Sequence, residues 1–502
     1  MAPENDIDYS LSRVPDEAKQ PFWRILLIRI GAICCVSQLM LGAALGYGLT
    51  FWDAFLATML GSVILQVVSW ALGTAAAREG LSTSLLSRWC GLGKNGSAIL
   101  GGVVAISMVG WFGVQNSVFA EGMLSITGVL NFPIWAIITG LGITLLVIAG
   151  IRWIARFATV FVPLFIAAVV ISAAIVLQDH SLIEFLNSPH PGPELAFGTA
   201  TTMVAGGFIA GAICTPDYAR YLKNGTQVFW MTLIGTFVGE LGMNLLAVIL
   251  AHATGTDNVT DIMMATSGVL GVIIVVASTV KLNDMNLYSS GLGVATAINA
   301  LFNVKINRNV MTWTLGIIGT LLSVIGIINY FTNFLTLLGV AIPPAAGIMV
   351  IDYFILKRNR AVLEETRPSG KLPQKVEKWN PIALTVWALA FCVGEGSSIL
   401  AIGIPGLNSL IFAGIVYWGA MTILQVGQEG RRGEVQGNRS DSVVELRCEN
   451  CIDLRLKRVG FVPALFAGKD RASRLTSFVG KGRNCAWPFL LEGAGNHTGS
   501  FC

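Results

Sequence analysis

The chain has 502 residues, 54% hydrophobic and 12% charged, with a mean hydropathy of +0.68 and a formal charge of +4. That composition is too apolar for a surface facing water, which excludes a soluble globular protein and calls for lipid around the chain. The nine cysteines have no regular spacing, which excludes a disulfide framework.

Residues 1–20 hold Glu4, Asp6, Asp8, Asp16 and Glu17 against Arg13 and Lys19, with no apolar core, so they do not read as a cleaved signal peptide. The first helix directs insertion, and residues 1–23 are expected as a cytoplasmic segment. Crossing a bilayer takes roughly 20 apolar residues. Such runs predict about twelve spans, at 27–48, 52–75, 97–122, 132–151, 157–177, 195–215, 228–251, 265–288, 310–328, 332–355, 381–402 and 406–425. They make up a transporter domain over 24–426. Residues 427–502 form a polar, Gly- and Arg-rich tail that reads as largely disordered. Within it, Cys448-x-x-Cys451 lacks a second pair or a histidine couple at ligand spacing, so zinc is not expected there.

Alternate loops separate by charge. One set holds Arg13, Lys19, Arg78, Arg88, Lys94, Arg152, Arg156, Arg220, Lys223, Lys305, Arg308 and the basic stretch 357–378. The other set, near 49–51, 123–131, 178–194, 252–264, 329–331 and 403–405, contains no Lys or Arg. The positive-inside rule then places both termini in the cytoplasm, in a plasma or inner membrane.

Small residues mark two spans: Gly31, Gly42, Ala43 and Ala44 in span 1, and Gly206, Gly207 and Gly211 in span 6. Transporters built from two inverted five-helix repeats break the first helix of each repeat near mid-membrane, and spans 1 and 6 stand in that relation. Glycines also serve simply for close helix packing, as Cys34 and Cys35 do in span 1.

Polar residues inside a bilayer are costly and therefore functional candidates. Span 3 carries Trp111 and Gln115, four apart and so on one face, with Asn116 beside them. Span 6 offers Phe208 after Gly207, span 1 Ser37 and Gln38, span 7 Glu240, and span 8 Lys281, Asn283, Asp284 and Asn286. Rings to stack on, with amides that donate and accept at the edge, suit a flat, uncharged heterocycle. Lys281 is too deep to snorkel and, at roughly 3 kcal/mol or more for a lone charge, needs a partner; Asp284 and Glu240 are the candidates. A channel is disfavoured because no filter sequence is visible. A membrane enzyme is disfavoured because His180, His190, His252 and His497 fall outside the spans or at their edges.

Four stretches together resemble the nucleobase:cation symporter-1 family, most like its cytosine and purine permeases. They are V-G-W-F-G-V at Val109–Val114 with Val118–Ala120, F-I-A-G-x-I-x-T-P-D-Y-A-R-Y at Phe208–Tyr221, N-D-x-N-L-Y-x-S-G-L-G at Asn283–Gly293, and N-F-L-x-L-L-G-V-A-I-P-P-x-x-G at Asn333–Gly347 running on to Asp352-Tyr353. The resemblance implies an all-α fold of twelve helices, with inverted repeats of helices 1–5 and 6–10, two further helices, and breaks in helices 1 and 6. It implies a secondary transporter that moves a nucleobase with a cation, not an enzyme, with no cofactor and no nucleic-acid partner.

By the same resemblance, Trp111 and Phe208 would sandwich the base, Asn283 would bind it, and Gln115 follows the hydantoin-transporter pattern. Gln38 and Gly207 line the same region, while Asp217 and Arg220 serve a gate or a structural contact. Sodium-coupled members place two hydroxyl residues just before the N-D pair of helix 8, where this chain has Lys281 and Leu282. The expectation is that the Lys281 ammonium replaces the ion, with Asp284 and Glu240 as further ion-coupling groups and H⁺ favoured over Na⁺. Hydantoin, allantoin or a pyrimidine vitamin precursor is the alternative cargo.

Overall fold

The computed structural model describes residues 9, 12–149, 153–179, 181–440, 443–446 and 454–457, with side chains omitted at 153–162, 179 and 425–457. Among them, nine helices are long and apolar enough to cross a membrane, and the bent pair Phe22–Ile33 and Val36–Gly48 makes a tenth. Two more helices, Trp153–Asp179 and Arg308–Val324, lie where spans 5 and 9 were expected. The first is apolar over Pro163–Gln178 and the second has only 17 residues, so length supports ten crossings more firmly than twelve.

The helix pairing has the symmetry of a five-helix repeat. Span 1 packs on span 7 through Val36–Gly48 and Met243–Thr254, and span 2 (Phe51–Glu79) packs on span 6 (Phe197–Ile213). Shifting 1 and 7 by five positions gives 6 and 2, the same contact made by the other repeat. Spans 3 (Gly93–Thr127) and 8 (Val259–Phe302) form the most extensive pair, spans 4 (Phe132–Ala149) and 9 (Arg308–Val324) pair as well, and 3 with 9 mirrors 4 with 8. A repeat with an odd number of crossings must re-enter from the opposite face, so the two halves are inverted. Around this bundle Met59, Leu60, Val63, Val67 and Trp70 of span 2 are exposed, as lipid-facing residues should be.

Helix 1 is broken, with a 51° bend between its halves. The break falls at Cys34–Cys35, where Cys35 is extended at φ −148°, ψ 169°, and not at the glycines. The two cysteines are therefore the hinge of the helix as well as packing residues. Helix 6 departs from expectation: Phe197–Ile213 runs unbroken through Gly206, Gly207 and Gly211, and turns only at Cys214–Thr215 before Pro216–Ala219. The reason is packing. A Cβ at Gly206 would collide with Leu335 O, and one at Gly339 would come within 2.5 Å of Thr202 O, so the glycines let spans 6 and 10 touch backbone to backbone.

Other irregularities lie elsewhere. Span 7 turns π-helical over Phe237–Gly242, around Glu240, and span 10 does so over Ile351–Leu356, around Asp352. Span 8 kinks at Gly268, whose φ of 61° and ψ of −157° suit only glycine.

The basic loops meet at one end of the bundle. Arg13 reaches Glu79, Leu363 O and Lys371 O; Lys19 reaches Ala77 O and Arg220 O; Lys94 N bonds Glu377 O. Residues 1–421 form one compact unit and 422–502 a second. The last helix, Pro405–Ser440, continues past the boundary expected at 426, and in the second unit Val443–Leu446 pairs antiparallel with Leu454–Lys457. Of the tail expected to be disordered over 427–502, the described residues are thus helical or paired strand, and the rest, Cys448 and Cys451 included, lies outside the described residues.

Candidate functional site

The break in helix 1 gathers three sets of polar groups. In the first turn after it, Ser37 Oγ accepts from Gln115 Nε2 at 2.7 Å, and Gln115 Oε1 accepts from Asn286 Nδ2 at 3.1 Å. Gln115 thus brackets spans 1, 3 and 8. Gln38 Nε2 donates to Glu240 Oε1 at 2.9 Å, tying the same turn to span 7. On the third side, Lys281 of span 8 lies within electrostatic reach of Cys35 at the break itself.

Asn283, two residues beyond Lys281, is fully buried, and neither polar atom of its amide has a partner. Buried amides in folded proteins are almost always satisfied, and an orphan of this kind calls for an explanation. Trp111 is 6% exposed and meets Phe331 and Phe334 edge-on, at centroid distances of 6.1 and 5.4 Å. Phe208 has a different neighbour: the guanidinium of Arg29 lies 4.5 Å from its ring centroid. No ring contact joins Trp111 to Phe208 among the described residues. Gly207 is placed against helix 1, where a Cβ would lie 2.9 Å from Leu41 Cδ2.

The expected partner of Lys281 is corrected. None of the ion pairs among the described residues joins it to Asp284 or Glu240. Asp284 has Arg308 as its electrostatic neighbour and Glu240 has Gln38 and Arg29. Asp217 and Arg220 lie at the basic-loop end, away from the break. Asp217 Oδ1 accepts from Thr83 N at 2.9 Å, and Arg220 donates to Asp217 O at 2.9 Å and Tyr9 O at 2.6 Å. Asn116 is fully satisfied by Ala136 O, Ser323 and Thr139, a structural bracket among spans 3, 4 and 9.

Several residues went unread in the sequence. Arg29 and Asn244 both lie inside expected spans, so the cost of burying polar groups in a bilayer was signal enough. Phe331 and Phe334 were hidden in an ordinary apolar run. Ser278 and Thr279, both buried, bring two adjacent hydroxyls one turn before Lys281. A cavity of about 300 Å³ opens beside Phe331, lined also by Met40, Glu121, Asp257, Asn258 and Thr332, and Asn258 Nδ2 donates to Glu121 there at 3.1 Å.

The sequence pattern of the permeases for cytosine/purines, uracil, thiamine and allantoin matches residues 14–414. The chain belongs to this family. It is a multi-pass membrane permease and not an enzyme. It is similar to the cytosine permease of Escherichia coli (strain K12), at 28% identity over 413 residues, 82% of this chain and 94% of that one. A hydantoin permease of Microbacterium maritypicum is 25% identical over 371 residues, 68% of this chain and 74% of its own.

Among solved structures, Mhp1, a nucleobase-cation-symport-1 family transporter, aligns in a closed conformation with bromovinylhydantoin bound. The TM-score is 0.64 at 22% identity, over 82% of this chain and 94% of Mhp1. Its inward-facing conformation aligns with a TM-score of 0.67 at 20% identity, over 83% and 94%. These likenesses show that the permease has the Mhp1 fold.

Proposed function

We propose that this permease imports a nucleobase, cytosine or a purine, by alternating access from a site beside the helix 1 break, with H⁺ as the co-transported cation. The observation that carries it is the Asn283 amide, buried and unpartnered beside the Gln115–Asn286 bracket. A planar base offers donors and acceptors on one edge that an amide can pair in both senses, and a π-face for Trp111. Gln115, Gln38 and Gly207 complete this wall, and Phe208 forms the opposite one. The family pattern, with the cytosine permease similarity over 94% of that relative, supports a nucleobase as cargo. The hydantoin permease similarity keeps hydantoin, allantoin or a pyrimidine vitamin precursor as the second reading.

Lys281 supports the proton. Its ammonium, one charge with three donors, is within electrostatic reach of Cys35 at the break, where it would do the work of a bound cation. Ser278 and Thr279 favour the other reading, since two buried hydroxyls on one turn are hard oxygen donors of the kind Na⁺ takes. Asp284 and Glu240 serve the ion path, while Asp217 and Arg220 hold the basic-loop end closed. The one-sided basic loops support a plasma- or inner-membrane location with both termini cytoplasmic.

Uptake of radiolabelled cytosine into proteoliposomes, with imposed Na⁺ or pH gradients and competition by adenine, hypoxanthine, uracil, allantoin and hydantoin, tests the reading. Uptake that follows ΔpH and is competed by nucleobases is expected, with impairment in Lys281→Met. A strong Na⁺ dependence with indifference to pH overturns the proton. Competition by hydantoin or allantoin alone overturns the nucleobase.

A further inference from the structure

The interface of helix 1 with span 7 holds a second group of stranded polar atoms. Glu240 is fully buried, accepts one hydrogen bond from Gln38 on Oε1, and has no partner on Oε2. Gln38 Oε1, both amide atoms of Asn244 and Thr236 Oγ1 are buried and unpartnered as well. Glu240, Thr236 and Asn244 are spaced by four along span 7, and Gly42 of helix 1 packs directly on the Asn244 backbone. The segment around Glu240 is π-helical, a local widening that recurs at functional positions.

Arg29 faces the same group. It is fully buried, with Nη1 bonded to Tyr218 OH at 2.6 Å and Nη2 to Ser69 Oγ at 3.4 Å, while Nε has no partner. Its guanidinium touches no carboxylate among the described residues, lies over the Phe208 ring, and stands within electrostatic reach of Glu240. Cys34, at the break, is the other titratable group facing Glu240 among the described residues.

The remaining elements supply little charge. Span 2 carries its charges only at its ends, Asp53, Arg78 and Glu79; Gly225–Thr236 has none; the described side chains of span 5, at 163–178, have none. Lys281 of span 8 stands by Cys35. A carboxyl buried without an ion pair is held neutral by its surroundings, and a buried cation without an anion is equally unfavourable. Arg29 also packs on Gly235 of span 7, where a Cβ would lie 3.5 Å from its Nε, so an orphan acceptor and an orphan donor on the two packed elements give these groups a second, paired arrangement.

We infer that Glu240 carries the coupled proton and that Arg29 is the counter-charge that turns to its carboxylate when the proton leaves. With the proton on Glu240 Oε2, Arg29 stays on Phe208 and Tyr218. When that O–H bond breaks and the proton passes to water, the carboxylate draws the guanidinium across. Arg29 then uncovers the Phe208 face, and Gln38 transmits the change to the first turn after the break. This rests on the proton-coupled reading above and moves the proton site from Lys281 to span 7.

The test uses the full chain in proteoliposomes, with an internal pH dye and labelled cytosine recorded together. The wild type is expected to move protons with cytosine. Glu240→Gln, which keeps the Gln38 contact, is expected to lower proton movement per cytosine at least tenfold, and Glu240→Asp to restore part of it. Coupled proton movement that survives in Glu240→Gln and vanishes in Lys281→Met overturns this inference and leaves proton coupling standing. Cytosine uptake by the wild type without proton movement overturns both. Infrared difference spectra of the purified protein between acid and alkaline pH need no transport: loss of a protonated-carboxyl band in Glu240→Gln supports the inference, and an unchanged spectrum overturns it.

Discussion

Glu79, at the end of span 2, ties together several segments at the basic-loop end of the permease, and replacing it should open that end. Its side chain is fully buried and receives four hydrogen bonds. Tyr353 OH at 2.7 Å and Arg367 Nη2 at 2.6 Å reach Oε1; Arg13 Nη1 at 3.0 Å and Arg367 Nε at 3.2 Å reach Oε2. Arg13 also holds Leu363 O and Lys371 O, so one carboxylate joins the N-terminal segment, span 2, span 10 and the loop beyond it.

In Glu79→Gln the two arginines lose their anion unequally. Arg367 has a side-chain exposure of 32%, and such pairs are worth about 0.2–1 kcal/mol. The Arg13 side chain is 4% exposed, and stripping a partner from a buried charge costs about 3–5 kcal/mol. Taking about 3 kcal/mol as the bias lost from the closed arrangement, the open population rises by roughly 100-fold. Cys90 reports it. It is fully buried within reach of Glu79 and Asp352, and burial first, then those two acids, push its thiol well above the usual range. Peptide mass spectrometry of maleimide labelling should show Cys90 modified on the order of 100-fold faster in Glu79→Gln, and less than tenfold faster in Arg367→Met. A Cys90 rate within threefold of wild type, in protein that melts normally, refutes the gate.

Asn283→Ala removes two buried polar atoms that satisfy nothing, so the melting temperature should hold or rise. Affinity for the transported base should fall about tenfold, since two hydrogen bonds are worth about 0.5–1.5 kcal/mol each; unchanged competition constants would remove Asn283 from the site. Asn116→Ala should do the reverse, costing about 0.5–1.5 kcal/mol of stability for each of the three hydrogen bonds it removes, with the competition profile unaltered. Lys19 is held below its ordinary value of 10.5 by burial, with Asp16 opposing. The folded state releases this proton first, so its contribution to stability is present above 10.5 and lost as pH falls through the lowered value. The melting temperature of wild type minus that of Lys19→Gln should therefore rise from neutral pH toward 10.5, and a flat difference contradicts it.

What could be read from the sequence follows from how far each interaction reaches along the chain. Span positions were legible because apolar length is a local property, and the shared face of Trp111 and Gln115 because four residues make one turn. The partners of Gln115 were not legible, since Ser37 and Asn286 lie on other spans and only packing brings them together. The glycines of span 6 misled for a related reason. Gly206 and Gly339 have no local need for freedom; they answer to a neighbouring backbone, which the sequence does not display. The reverse holds at Cys34–Cys35, where a helix ends without glycine or proline. Nothing local explains that break, so tertiary contacts at Gln38 and across from Lys281 must hold it.

That dependence gives the break its mechanical meaning. A helix interrupted by glycine stays interrupted whatever surrounds it, whereas one interrupted by contacts changes when the contacts change. Here the groups meeting the first turn after the break come from span 3 through Gln115, span 8 through Asn286, and span 7 through Glu240. On the proposed reading, a base that pairs with Asn283 would lie next to the span 8 member of this set, and a proton on Glu240 would alter the span 7 member. Substrate and proton would then act on one backbone segment. Coupling between them needs no direct contact, only that Ser37 and Gln38 cannot move independently, and adjacent residues in a single helical turn cannot.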